Sequence, residues 1–577
     1  MREASGSRRS RCSCAPSLLY FSAVQLLSWA TSWTSSEPSF LAFTWDNVVM
    51  QGLSDGQREL LDAQSVTGHL LPVGSVFALL ADHRQALFPA EMFADLFPSG
   101  RGRPSITADV VASVLVLQAL HGLSDRQAAE SVMFDLRWKA ACGLAVDRAA
   151  FHPTVLTYWR RRLAASQDPN RIFNAVKSVI AKTGALTGKT RRALDSTVLD
   201  DAVATQDTIT QLVAAIRRVA RTVPGADVIV AARTSTHDYS KTGKPDIAWD
   251  DAQARAALIH GLVTDALAVL DAVPAPDAEP IEEDSTAGRA VALLALIAGQ
   301  NVEWIPDVDD AGGGGGRWQI ARKVAQDRVI STVDPETRHA HKTQHRRQEG
   351  FKGHLICEPD TGMITGAKLT QASGEGSHDA AIGAELLDAD DSMTGTEQIL
   401  GDSAYGTGDM LTKLEASDHT NAVKPWPIRR NVPDGFTTDD FTVDHDAGTV
   451  TCPAGNTVGF TAAKRAAVFG KLCTDCPLAA LCINASQGRI VKLGIHDQLQ
   501  WAHRKRWATD QPLRADYRRH RPMVERSIAW MTRGARRLRY VGVRKNDAWW
   551  QLRAAAINLR KLTQLGLTTT TTGWALT

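Results

Sequence analysis

Long apolar runs are missing from this sequence. No stretch reaches the ~18–20 apolar residues that a membrane-spanning helix needs, so no membrane partner is expected. No Gly-x4-Gly-Lys-Ser/Thr loop is present either, since Gly188-Lys189-Thr190 lacks the glycine five residues before Gly188, which removes the sequence basis for a nucleotide cofactor. Cysteine is scarce, with 8 residues in 577, too few for a disulfide scaffold. Net charge is small, +2, so bulk charge does not announce a polyanion partner. No internal repeat is visible.

Hydrophobic residues make up 44% of the chain, and at ~150 residues per domain two to four units are expected. The charge is unevenly spread. Between Trp501 and Lys561 there are 17 Lys/Arg against 4 Asp/Glu, the electrostatic footprint of a polyanion partner. Acidic compensation sits mid-chain, around Asp277–Asp284 and Asp307–Asp310. At the N-terminus, Arg8, Arg9 and Arg11 precede the apolar run Leu18–Ala30, which has the outline of a signal peptide. The alternative is that residues 1–49 are a non-native or disordered extension and that Met50 is the start. Nothing downstream looks secreted, so this second reading is preferred, with a cytoplasmic, nucleoid-associated protein as the expectation.

From residue 50 to about 185 the pattern is helical. Val110, Val111, Val114, Leu117 and Leu120 trace one apolar face. Gly122-Leu123-Ser124-Asp125 then makes a turn in which Ser124 can cap a helix over Arg126–Met133. A helix over Thr154–Leu163 ends in Arg160, Arg161 and Arg162. Helix, turn, helix and basic helix suit a DNA-binding module, or equally an ordinary bundle with a solvated basic end. At Arg192 the texture changes to a strand, Ala193–Leu199, carrying Asp195. Helical segments over Gln206–Ala220 and Ala252–Val273 and two polar loops, one with the glycine run Gly312–Gly316, form an insertion of about 206–330. Strands follow over Gly353–Cys357 and Met363–Leu369, joined by the turn Glu358–Gly362, and over Glu397–Asp402. Basic helices run from Gln511 to Leu565.

Three acids stand in or at the ends of these elements: Asp195, Asp402 and Glu525. Taken singly, an acid at a strand end is ordinarily a turn or cap residue, and Glu525 has the plain reading of a surface residue paired with Arg521 or Arg526. Spacing does not link them. Context does: Val524, Ile528 and Met531 form an apolar i, i+4, i+7 face that docks the Glu525 helix on a core, Pro522 suits its first turn, and the arginines flanking Glu525 are able to grip phosphates. Carboxylates are the ligands that Mg²⁺ or Mn²⁺ prefers. Two such ions ~4 Å apart activate an attacking oxygen and stabilise a leaving one.

Leu194-Asp195-Ser196-Thr197, Leu400-Gly401-Asp402-Ser403-Ala404-Tyr405-Gly406 and Pro522-Met523-Val524-Glu525-Arg526 resemble the three acidic blocks of DDE-type bacterial insertion-sequence transposases. Asp201–Thr208 is also similar to that family. So are Leu70–Phe77, Phe97–Ser105 and Leu117–Arg126 near the N-terminus, and Ala556–Leu562 near the C-terminus. The likeness spans roughly residues 50–565. It implies an α/β, ribonuclease-H-like catalytic core in two parts, 190–425 and 500–565, a helical DNA-binding domain over 50–185, and a Cys-rich insertion over 426–495. It implies that Asp195, Asp402 and Glu525 bind Mg²⁺ or Mn²⁺ and catalyse cleavage and strand transfer at double-stranded transposon ends, with a homodimer in the synaptic complex. Many relatives carry Tyr, two residues, Arg, three residues, Glu, six residues, Lys. Arg521 and Glu525 fit, whereas Arg518 and Thr532 fill the outer slots, so those slots are given no role. A decayed transposase acting as a DNA-binding repressor is the alternative.

Cys452, Cys473, Cys476 and Cys482 follow a C-x20-C-x2-C-x5-C spacing compatible with a closed structural Zn²⁺ site. Reduced, partly buried thiols are the other reading. Cys142 and Cys357 read as core residues. Lys342, Arg346 and Arg347, within a basic cluster running from His339 to Lys352, are candidates for the DNA backbone beside Arg521 and Arg526, or a solvated loop. Trp549 and Trp550, beside Arg553, suit stacking on a base or core packing.

Overall fold

A computed structural model describes residues 50–577 except 55–60, 100–102, 274–280, 307–314, 324, 326, 344–345, 485–486 and 572; the side chains of 341–347 are also outside the description. The N-terminal segment 1–49, on which the choice between signal peptide and extension turns, lies outside the described residues. The described residues divide into two compact units, 207–325 and the rest.

The larger unit is built on one mixed sheet. We label its strands β1 (Arg191–Asp200), β2 (Arg346–Cys357), β3 (Ile364–Gln371), β4 (Gln398–Gly401) and β5 (Thr420–Val423). The order across the sheet is β3-β2-β1-β4-β5. β1, β2 and β3 are antiparallel neighbours, and β4 and β5 run parallel to β1. The tight connection is β2 to β3, where the Glu358 carboxylate accepts the N–H groups of Asp360 (2.8 Å) and Thr361 (2.7 Å) and Gly362 takes a positive φ of 68°. The segment Arg338–Thr343, read from sequence as part of a basic cluster for the DNA backbone or as a solvated loop, is a strand paired with the start of β2. Its sequence, Arg-His-Ala-His-Lys-Thr, has almost no apolar face, so its pairing is set by backbone hydrogen bonds and not by a period readable from hydropathy.

The register of β1 is held by charge at its base. Arg192 is fully buried and pairs with Asp390 (2.8 Å) and Glu397 (2.8 Å), fixing β1 to the segment that leads into β4. Ala193 stands opposite Leu400.

Helices cover both the sheet and its edge. We label α1 (Ala108–His121), α2 (Asp125–Phe134), α3 (Thr154–Ala165), α4 (Asp379–Asp388), α5 (Gly408–Ala416), α6 (Asp497–Thr509), α7 (Gln511–His520), α8 (Pro522–Thr532) and α9 (Val543–Gln564). The expected one-sided apolar face of α1 is corrected: every residue from Ala108 to Ala119 is buried, because α1 is the central helix of the N-terminal bundle and is apolar all round. It ends on Gly122 in the left-handed region (φ 65°), and Ser124 and Gln127 form a reciprocal capping box that starts α2. The α1–α2 bend is 113°, within the range of helix-turn-helix pairs. Among the described residues no single helix is long and apolar enough to cross a membrane.

The 22-residue helix α9 joins the bundle to the sheet. Asn558 exchanges both hydrogen bonds with the backbone of Ile364 (2.9 and 2.8 Å), and Asp547 accepts from Leu369 N–H at 2.7 Å. These side chains satisfy the open edge of β3, which would otherwise offer unpaired backbone groups. Arg553, nearly fully buried, donates to the carbonyls of Ala119, Trp530, Met531 and Arg533. It thereby ties α1, α8 and α9 at one point.

Residues 426–495 carry short strands around a small core of Phe441, Val450, Ala467, Phe469 and Val491. Their outer anchor is a two-pronged ion pair from Arg504 on α6 to Asp439 (2.7 Å). The chain closes in a hairpin, Leu567–Thr570 with Gly573–Leu576.

The smaller unit has helices over Thr208–Thr222, Ala226–Arg233, Ala252–Ala272 and Thr286–Gln300 and a hairpin of Val302–Pro306 with Gly316–Ile320. Buried Asp265 organises it, accepting from Ser235 N–H, Thr236 N–H and the Tyr239 hydroxyl.

Burial pushes the Asp547 carboxyl up to about 6, against the Leu369 N–H and Gln551 that favour its charge. The folded state therefore favours the protonated acid. That stabilisation is complete below the unfolded value near about 4 and is lost as pH rises through about 6. Asp547→Asn keeps an acceptor for Leu369, and it is expected to flatten the urea-unfolding stability profile between about pH 4 and 6. A slope identical to that of wild type across this window would show that Asp547 does not titrate there.

Candidate functional site

The parallel register of β1 and β4 brings the first two acids together. Ala193 pairs with Leu400, so two residues further on Asp195 and Asp402 emerge side by side. Each is oriented by a short backbone bond: Asp195 Oδ1 accepts from Ser196 N–H (2.9 Å) and Asp402 Oδ1 from Ala404 N–H (2.9 Å). The turn after Asp402 is seated by Tyr405, which is almost fully buried. Gly383 on α4 makes room for that ring, since a Cβ there would lie 2.7 Å from it.

α8 supplies the third acid. Val524 and Met531 are fully buried and Ile528 nearly so, which docks the expected apolar face. Glu525, in the first turn, is then left exposed on the side of the other acids.

The feature common to all three is Arg521, at the junction of α7 and α8. Its Nη2 lies 2.9 Å from Asp195 and 4.0 Å from Asp402, and its Nη1 lies 3.9 Å from Glu525. Only 4% of Arg521 is exposed. The expectation that Arg521 grips DNA is therefore corrected: its guanidinium faces inward and serves the carboxylates. Burial works against its charge, but pairing with Asp195 outweighs this and holds its pKa above the ordinary arginine value. Asp402 is also shifted upward, which for an acid favours its neutral form. Burial raises its carboxyl, and Asp195 and Asp379 add to this against Ala404 N–H and Arg521.

Two residues given no role from sequence join the site. Tyr517, one turn before Arg521, interacts with it, and burial raises the Tyr517 hydroxyl pKa. Asp379, at the start of α4, pairs with Lys352 (3.3 Å) and stands 3.6 Å from the buried His354. Its signal in the sequence was only Ser377-His378-Asp379 before a helix, which reads as a cap. Arg526 is exposed next to Glu525, with no carboxylate partner among the described residues. Lys342, Arg346 and Arg347 fall in the Arg338–Thr343 strand and β2, and their side chains lie outside the described residues. Trp550 is fully buried and donates to His354 O (3.1 Å), whereas Trp549 is half-buried.

The four clustered cysteines line one small cavity of ≈ 20 Å³. Arg489 N–H approaches Cys473 Sγ at 3.4 Å, and burial pushes the Cys482 thiol up. Among the described residues no three Cys, His, Asp or Glu side chains converge closely enough to ligate one ion as they stand. Cys142 and Cys357 are buried in the core, with thiols pushed up to about 12 by burial.

Three acids, from two adjacent strands of a mixed sheet and a helix, thus surround one guanidinium. Two family models match parts of the chain. A model described as transposase DDE domain matches residues 451–563, and one described as transposase domain (DUF772) matches residues 60–162. These matches support a DDE-type insertion-sequence transposase. Glu525 and the four cysteines lie inside the first match; Asp195 and Asp402 lie outside both. No curated protein and no solved structure matches.

Removing the central cation isolates the consequence of this geometry. Arg521→Gln leaves the mostly buried Asp195 without its counter-charge, while Asp402 and Glu525 stay substantially solvated, so the cost falls below the about 3–5 kcal/mol of breaking a fully buried pair. In EDTA the variant is expected to melt below wild type, and Mn²⁺ is expected to raise its melting temperature more than that of wild type. Equal melting in EDTA and equal Mn²⁺ shifts would exclude Arg521 as the counter-ion.

Proposed function

We propose that this chain binds the terminal inverted repeats of an insertion sequence and cuts and rejoins DNA phosphodiesters at Asp195, Asp402 and Glu525. The observation that carries this reading is the meeting of three acids, far apart in sequence, around one guanidinium. The sheet order, with three antiparallel strands followed by two parallel ones, supports a ribonuclease-H-like core for the transposase DDE domain.

The donor set suits Mg²⁺ or Mn²⁺. Three carboxylates face one guanidinium, and Asp402 is already disfavoured as an anion, so the cluster has charge left over for further cations. Asp195, Asp402 and Glu525 would hold them, and two such ions would activate the attacking oxygen and stabilise the leaving one. Asp195 and Asp402 are pre-oriented by their backbone bonds, whereas exposed Glu525 can adjust. Arg526 is placed to meet a phosphate, and Lys342, Arg346 and Arg347 are assigned to the backbone on sequence grounds. The helical domain over residues 50–185 is assigned to end recognition, with a second copy bringing the second end. A cytoplasmic, nucleoid-associated location goes with this chemistry.

Four thiols around one cavity are the right donors for a structural Zn²⁺ that would stabilise residues 426–495. Elemental analysis of purified protein should find one zinc per chain, lost in Cys473→Ser/Cys476→Ser. A wild-type protein free of zinc after growth in zinc-supplemented medium would leave these residues as reduced thiols.

The decisive comparison is wild type against Glu525→Gln on linear DNA bearing the element's own ends, with Mg²⁺. Wild type should cleave, and the variant should bind equally but lose cleavage by a factor of at least ~10³. Specific binding without cleavage by wild type under Mg²⁺ and Mn²⁺ would instead support a repressor.

A further inference from the structure

A cleft of ≈ 590 Å³ opens between α1, α3 and the N-terminal half of α9. Its volume falls in the ~300–1,000 Å³ range of small-ligand sites. The floor is apolar, formed by Leu115, Leu123, Leu163, Phe173 and Leu552. Its rim is cationic, with Arg160, Arg161, Arg539, Arg544 and Lys545 against a single carboxylate, Asp125. Arg160 already pairs with Asp125, and Arg539 donates to Gly122 O. Arg161, Arg544 and Lys545 are exposed and have no carboxylate partner among the described residues. Asp334 and Glu336, near the start of α9, accept from Gly542 N–H and Val543 N–H and do not line the cleft.

The aromatic lining is specific. Of the adjacent tryptophans, Trp550 is sealed against β2, while Trp549 stops half-buried at the cleft wall, with the Arg553 guanidinium 5.8 Å from its ring centroid. An apolar floor, an open indole and three free cations call for a ligand that is flat, aromatic and anionic. A nucleotide has that chemistry, its base suited to the indole and its phosphates to the rim. The cleft is too small for a duplex, so DNA would deliver only a single unstacked nucleotide.

We propose that this cleft is a nucleotide-binding site, with the base against Trp549 and phosphate on Arg161, Arg544 and Lys545. The nucleotide comes either from an unpaired position in bound DNA or from the free pool; the first source rests on the transposase reading, and the second does not. The site takes no part in bond cleavage.

The test uses the full chain and reads binding alone. The probes are a DNA hairpin with 2-aminopurine at an unpaired position, the same DNA fully paired, and a fluorescent deoxyadenosine monophosphate. Wild type should quench the unpaired 2-aminopurine. Trp549→Leu, which keeps the apolar bulk, should lose about ten-fold in affinity for the unpaired-base DNA and nothing for the paired DNA. Arg544→Gln/Lys545→Gln, at exposed positions that cannot disturb the core, should lose a similar factor and bind with a shallower salt dependence. Saturable binding of the free nucleotide, weakened by both variants, assigns the source to the pool; binding of the unpaired-base DNA alone assigns it to DNA. Wild-type affinity of both variants for every probe would overturn the proposal. Displacement of a bound probe by polyglutamate but not by nucleotide would also overturn it, assigning the cleft to an acidic protein segment. Cleavage is not read, so either outcome leaves the Glu525 experiment independent.

Discussion

A guanidinium buried among three carboxylates satisfies two demands at once. Desolvating an arginine costs several kcal/mol unless anions and acceptors replace its water, and crowding acids together raises the energy of each of them. At Arg521 these costs offset one another. The junction of α7 and α8, the parallel register of β1 and β4, and the docking face of α8 all serve that meeting point. The compensation is incomplete at Asp402, where burial, with Asp195 and Asp379 adding to it, still raises the carboxyl against Ala404 N–H and Arg521.

Much of this was legible in the sequence because the elements that carry the acids have strong local signatures. The strands around Asp195 and Asp402 are short runs with adjacent apolar residues, Ala193-Leu194 and Ile399-Leu400, each followed closely by an acid, and α8 shows a clean helical period after Pro522. Ser124 announced the start of α2, and the Pro-Asp-x-Gly turn announced the β2–β3 hairpin. What the sequence concealed was burial of charge. Arg521 stands in a run with Arg518, Arg519 and Arg526, and nothing in its neighbours distinguishes the one that turns inward. Asp379 was hidden for the complementary reason: an acid at a helix start has an ordinary local explanation. The strand Arg338–Thr343 escaped because its partner supplies backbone bonds rather than an apolar face. α1 was read as one-sided because its central place in the bundle is a tertiary fact.

The cysteine segment illustrates a different limit. Spacing identifies four donors, and the fold gathers them at one cavity, yet the closing of thiolates on an ion belongs to metal binding and folding together. Its attachment is better defined. The two-pronged Arg504–Asp439 pair links it to α6, the helix that leads through α7 to Arg521, so the insertion adjoins the helical arm that positions the counter-ion.

Arg553 has a consequence that extends beyond packing. By donating to carbonyls of α1, of α8 and of Arg533, it fastens the helical bundle and the acid-bearing helix to the same side chain, with α9 as the common beam. Four hydrogen bonds from this one guanidinium tie the joint. In the proposed function, a duplex gripped by the bundle would meet the acids at a set distance from its contact point. The protein would then act as a caliper: the cut falls where the jaws are fixed, and a change in spacing along the DNA would have to be absorbed by the DNA.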